Sequence, residues 1–142
     1  MKHDKEQVLK IIREYFKDQN DISTVYLFGS VAKGRTTSHS DVDIAVLFVP
    51  GLSLFQRFER RLELANDLAD RLKKKVDLVD LAEADLFFIH QVMLHKEIVL
   101  DKDIERRVSF EVEKRRNYFD RKYFYDLYHR QALKRLGEKG RK

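Results

Sequence analysis

The segment "YLFGSVAKGRTTSHSDVDIAVLF", Tyr26 to Phe48, constrains this chain more than any other. Val25 to Phe28 is β-branched and aromatic, and Asp41 to Val49 alternates before the chain's only proline, Pro50, so both runs read as strands. Alternation puts Asp41 and Asp43 on one face of the second strand, while Val42, Ile44, Val46 and Phe48 turn to the other, where a core would take them. Two ionised carboxylates held side by side repel, and burying them unpaired costs on the order of several kcal/mol. A strand that opens this way calls for a cation between the two aspartates.

Hard oxygen ligands on a rigid strand suit Mg²⁺, which accepts one or two protein carboxylates and completes its shell with water and substrate phosphates. The expected substrate is therefore a nucleotide. Gly29 directly after a strand lets the backbone approach a ligand, and a turn opening a helix points N–H groups at an anion, so Gly29 and Ser30 are candidate phosphate-binding residues. Arg35 or Lys33 is a candidate for a further phosphate contact. The run "VDLVDL", Val76 to Leu81, reads as a third strand and offers another carboxylate, Asp77 or else Asp80, which alternation sets on opposite faces. Asp77 is preferred because it leaves Val76 and Leu78 to pack inward. Three carboxylates suit a two-metal site that clamps the attacking and leaving oxygens of a phosphoryl displacement. A P-loop reading of "GSVAKGRT" fails, since Arg35 stands where that motif needs lysine and no room remains for a helix before the next strand.

With 142 residues, 43% apolar and 37% charged, the chain suits one domain with a real core. The absence of cysteine excludes a disulfide scaffold and a thiolate site and is compatible with a reducing compartment. The charged start "MKHDKEQVLK" does not resemble a signal peptide, and no apolar run approaches the ~18 residues of a membrane span. A cytoplasmic protein without membrane contact is expected. Three-and-four spacing predicts helices over Lys5 to Phe16, about Ser53 to Lys73 and about Glu83 to His95, the last followed by a short apolar run, Ile98 to Leu100. His90 and His95, five apart, are poorly placed to share a metal. Residues 1–100 hold 15 Lys and Arg against 16 Asp and Glu, whereas residues 101–142 hold 14 against 8, so the net charge of +5 comes from the tail. That tail reads as helix and is rich in aromatics, in "NYFDRKYFYDLYH" above all. Positive charge with tyrosines suits nucleic acid and equally suits a helix docking against an acidic protein surface, though no RNA-binding signature appears in it.

Gly29-Ser30, ten residues, then Asp41-x-Asp43, followed by "VDLVDL", resembles the minimal nucleotidyltransferases of the DNA polymerase beta superfamily over roughly Val25 to Leu100. The resemblance implies an α/β (α+β mixed sheet) fold, a polymerase-beta-like nucleotidyltransferase with helices packed on one face of a small mixed sheet. The nucleotidyltransferase domain is expected in residues 1–100, with 101–142 a basic, aromatic helical C-terminal extension of the same domain that matches no motif. The resemblance also implies transfer of a nucleoside monophosphate from a nucleoside triphosphate, with Asp41 and Asp43 as metal ligands and Asp77 as third carboxylate and candidate base. Proteins of this size and pattern are similar to the MNT antitoxins paired with HEPN-domain toxins, which add AMP to a toxin tyrosine. On that resemblance the chain is a protein adenylyltransferase using ATP and two Mg²⁺ ions, with a HEPN toxin as partner and nucleic acid not expected as substrate. Arg121 and His129 are too far apart for the HEPN ribonuclease spacing, so the toxin activity is not expected in this chain. Alternatives are a transferase acting on a small molecule such as an aminoglycoside, and a non-catalytic antitoxin that neutralises by binding.

Overall fold

The computed structural model describes residues 5–29 and 41–139, with side chains through residue 137. Helix α1 (Lys5–Lys17) leads into strands β1 (Ile22–Phe28) and β2 (Val42–Phe48). Then come helix α2 (Leu54–Leu72), strand β3 (Val76–Asp80), a 3-10 turn (Leu81–Glu83), helix α3 (Leu86–His95), strand β4 (Glu97–Asp101) and helix α4 (Ile104–Lys139).

The four strands form one mixed sheet in the order β3-β2-β1-β4, with β1 antiparallel to both β2 and β4, and β2 parallel to β3. A parallel pair needs a crossover, and α2 supplies it. Its start is sharply specified. Gly51 turns the chain at φ 101°, and Ser53 closes a capping box in which its Oγ accepts from Gln56 N–H while the Gln56 side chain accepts from Ser53 N–H. Lys73 ends α2 in the left-handed conformation, φ 55°, and the adjoining Lys75 carbonyl accepts from Val42 N–H at 2.9 Å, so the end of α2 delivers β3 into register beside β2.

One sheet face buries Val42, Ile44, Val46 and Phe48, as alternation requires, together with Val25 and Leu27 of β1, Leu78 of β3 and Val99 of β4. Over them lie Val8, Ile12 and Phe16 of α1 and Leu64, Leu68 and Leu72 of α2. Tyr15 Oη donates to Asp67 at 2.9 Å and ties the two helices together; burial and this carboxylate push the phenol well above its usual range. Arg60 of α2 bonds Asp21 and Gln19 ahead of β1.

The expectation of helices on one face is incomplete. Tyr26, Ala45 and Leu47 are also fully buried, on the second face, under Leu81 and under Ile89 and Val92 of α3, with Phe110 of α4 packed alongside. The apolar residues of β2 are therefore not confined to one period-2 set, because the strand is covered on both sides. Two boundaries also differ from those the sequence predicts. Asp85 caps α3 through a 2.8 Å acceptance from Phe88 N–H, so the helix begins at Leu86 rather than near Glu83. The run Ile98 to Leu100 belongs to a strand, β4, whose edge position suits a segment of five residues.

Polar contacts anchor the first turns of helix α4. Arg106 Nη2 donates to the Phe48 carbonyl at 2.8 Å, Arg107 pairs with Asp101 at 2.5 Å and with Glu111 at 2.5 Å, and Lys96 pairs with Glu111. Glu111 is buried between these two cations. At 36 residues α4 is about 54 Å long, far longer than the ten-residue α3 beside it.

Candidate active site

The acidic cluster is built by strand register. Asp43 of β2 pairs across the parallel ladder with Asp77 of β3, and the flanking pairs Ile44 with Leu78 and Val42 with Val76 turn to the α1–α2 core. Asp43 and Asp77 therefore share the opposite face. Asp41 stands exposed immediately before β2, Asp43 is half-buried and Asp77 is exposed. Burial first, then the charges of Asp77 and of Asp41, push the Asp43 carboxyl above the usual carboxylate range. The charges of Asp41 and Asp77 are thus both felt at Asp43.

Gly29 follows β1 at φ 75°, and its backbone lies so close to Asp43 that a Cβ there would fall 2.1 Å from Asp43 Oδ2. Only glycine fits this contact, for reasons of both conformation and space. The residue before it, Phe28, is the antiparallel partner of Asp43 and packs edge-on against Phe88 of α3, ring centroids 5.7 Å apart. Phe28 and Phe88 wall one side of the acidic cluster. No sequence signal links them: Phe28 is legible as the end of a strand, but its partner lies far along the chain on a helix whose crossing position only the folded sheet sets.

Asp80 is placed elsewhere. It lies on the α1–α2 face, where Arg57 of α2 donates to its Oδ2 at 2.9 Å and to Glu83 at 2.8 Å. Burial raises the Asp80 carboxyl and the Arg57 charge opposes that rise. Ser30, Lys33 and Arg35 lie outside the described residues. His90 stacks on Tyr118 of α4 with centroids 3.8 Å apart and planes 7° from parallel, a packing role.

Among the described residues no three His, Asp or Glu side chains converge into a ready-made metal cage. The donor set still fits Mg²⁺. Asp41, Asp43 and Asp77 offer only hard oxygens, their mutual repulsion is what a divalent cation relieves, and Mg²⁺ is ordinarily held by one or two carboxylates with water and substrate phosphates supplying the rest. An open acidic cluster beside a glycine that admits close backbone approach can hold a metal-bound polyphosphate.

Residues 10–105 match the family model described as polymerase beta, nucleotidyltransferase. Over 87 residues the chain is 37% identical to the protein adenylyltransferase MntA of Shewanella oneidensis; the match covers 61% of this chain and 58% of that relative's length. Among solved structures, a chain of a toxin-antitoxin complex with AMP-PNP superposes with a TM-score of 0.68 at 31% identity, covering 88% of this chain and 94% of that one. A chain from the complex of a tri-AMPylated Shewanella oneidensis HEPN toxin with an MNT antitoxin gives a TM-score of 0.66 at 28% identity, over 91% and 94% of the two chains. The model match takes in every strand of the sheet and both aspartate-bearing strands: this chain belongs to the polymerase beta nucleotidyltransferase family.

Proposed function

We propose that this chain is a Mg²⁺-dependent protein adenylyltransferase that moves AMP from ATP to a tyrosine hydroxyl of a HEPN-domain toxin and thereby acts as its antitoxin. The observation that carries this reading is the ladder pairing of Asp43 with Asp77, with Gly29 closed against Asp43, in a chain whose fold matches nearly the whole length of a chain from an AMP-PNP-bound toxin-antitoxin complex.

In this reading Asp41 and Asp43 hold the metal, with Asp77 completing a two-ion site. The bound metal would neutralise the charge of the triphosphate and orient it. Gly29, with Ser30 and Arg35, holds the phosphates. The acceptor hydroxyl attacks the α-phosphorus of ATP, a new P–O bond forms, the bond to the bridging oxygen of pyrophosphate breaks, and Asp77 takes the hydroxyl proton. Asp77 suits that role because it is exposed and, among the described residues, no arginine pairs with it as Arg57 pairs with Asp80.

A macromolecular acceptor is favoured over a small one such as an aminoglycoside by the likeness of this fold to chains from toxin-antitoxin complexes. Occlusion without chemistry is disfavoured because three uncompensated carboxylates are a liability in a site that holds no metal. The deciding experiment is incubation of the protein with labelled ATP, Mg²⁺ and a HEPN-domain toxin, followed by intact-mass measurement. Mass increments of whole AMP units on a tyrosine are expected. An unmodified HEPN-domain protein, in a mixture where ATP is bound, rejects the reading.

A further inference from the structure

The face of α4 that packs on α3 does not end where α3 ends. The two helices run antiparallel: Lys114 and Arg115 lie by Met93 and Leu94, Tyr118 stacks on His90, and Arg121, Lys122 and Tyr125 reach Leu86 and Phe87 at the start of α3. Tyr118, Tyr125 and Ala132 recur every seven residues, and Tyr128 and Leu136 lie three past Tyr125 and four past Ala132, so that all five share one face of the helix. Helix α3 covers only the first part of this seam. Past it Tyr125 is 62% exposed, Tyr128 69% and Leu136 65%, over some four further turns of helix.

At the junction, where α3 starts, the two helices leave a groove of about 570 Å³ with an aromatic lining, in which Arg121 and Lys122 are balanced by Asp85 and Asp126, so that the excess positive charge lies farther along α4. The groove begins one residue from Phe88, whose ring packs on Phe28, the ladder partner of Asp43. Phe88 and Phe28 thus link this groove to the strand that carries Asp43.

The charge on α4 selects the occupant. From Lys114 to Arg135 it carries eight Lys and Arg against two Asp. A second copy laid on the seam would oppose like charges, which costs stability, whereas an acidic helix would be steered to it and would bury its tyrosines as anchors. Nucleic acid would use the charge and stack on the tyrosines, but a face that continues an existing antiparallel helix pair is shaped for another helix.

We propose that the seam of α4 beyond α3, from Arg121 to Leu136, docks an acidic amphipathic helix of the protein that this chain modifies, laid end to end with α3 so that the acceptor is delivered toward Asp43 and Asp77. This inference rests on the function proposed above.

Two variants test it in the full chain: the triple change Tyr125→Ala, Tyr128→Ala, Leu136→Ala, and the exposed double reversal Arg121→Glu, Lys122→Glu. Each is titrated with the HEPN-domain protein over a range of salt, and its melting temperature is measured with and without ATP and Mg²⁺. Both variants should bind that protein about tenfold or more weakly, the reversal with a flatter salt dependence than the unmodified chain, while the upward shift in melting temperature caused by ATP and Mg²⁺ stays unchanged. Unchanged binding in a folded variant overturns the proposal, as does failure of the unmodified chain to bind. It is also overturned if the variants instead lose self-association in sedimentation or lose binding to a poly(U) probe while still holding the HEPN-domain protein. Weakened binding with no AMP transfer by the unmodified chain would reject the proposed function and leave the docking seam standing; normal transfer with unaffected binding would do the reverse.

Discussion

Gly29 and Asp43 are in such close contact that the backbone of one forms the wall against which the carboxylate of the other rests, with Oδ2 only 2.1 Å from where a Cβ would be. The positive φ of Gly29 and this contact act together: any side chain is strained by its own backbone and also displaces the central carboxylate of the acidic cluster.

Gly29→Ala is therefore expected to lower stability by about 1–3 kcal/mol and to reduce AMP transfer by about a hundredfold or more. Urea unfolding and a single-turnover transfer assay measure the two effects separately. A variant with normal transfer would mean that Asp43 does not need its observed position.

Asp41→Asn and Asp43→Asn should each abolish transfer and leave the fold intact, since the side chains stay isosteric while a charged metal ligand is lost. Asp43→Asn carries a further expectation. The folded protein raises the Asp43 carboxyl through burial and the charges of Asp77 and Asp41, so the folded state binds that proton more tightly than the unfolded chain does. The associated stability is present at low pH and is lost as pH rises through the folded value, leaving the full penalty at neutrality. Without metal at pH 7, Asp43→Asn should melt no lower than the unmodified protein, and its advantage should shrink as the medium is acidified below the ordinary carboxylate range. Melting curves in EDTA at several pH values check this; a variant that melts well below the parent at pH 7 contradicts it.

Asp77 and Asp80 should separate function from stability. Asp77→Asn is expected to lose transfer with an unchanged melt. Asp80→Asn is expected to keep transfer and to cost on the order of 1–3 kcal/mol, because it weakens the hold on a largely buried Arg57 guanidinium. The opposite pattern, an active Asp77→Asn and a dead Asp80→Asn, would overturn the assignment of the third carboxylate.

Glu111→Ala should be among the more destabilising single changes on α4. It strips the shared partner from Lys96 and Arg107, two mostly covered cations that would then repel across the joint between β4 and α4. After discounting for their partial exposure, a loss of about 2–3 kcal/mol is expected in urea unfolding. A change below about half a kcal/mol would show that the anchoring of α4 comes from apolar contacts alone.

Period-2 alternation was enough to assign Val42, Ile44, Val46 and Phe48 to a core and to put Asp41 and Asp43 together, because side-chain direction along a strand is a property of the local backbone. Preferring Asp77 over Asp80 came from the same rule applied to Val76 and Leu78. Helix α2 and the helical character of α4 were legible for the same kind of reason, since helical spacing is local. The ladder pairing of Asp43 with Asp77, the capture of Asp80 by Arg57, and the wall made by Phe28 and Phe88 were not, because each joins segments whose relative position depends on how the whole sheet pairs. The burial of Ala45 and Leu47 under α3, and the recruitment of Ile98 to Leu100 as an edge strand, belong to the same class. A run of alternating residues specifies which side chains share a face; only tertiary packing decides what covers that face and which distant strand stands in register beside it.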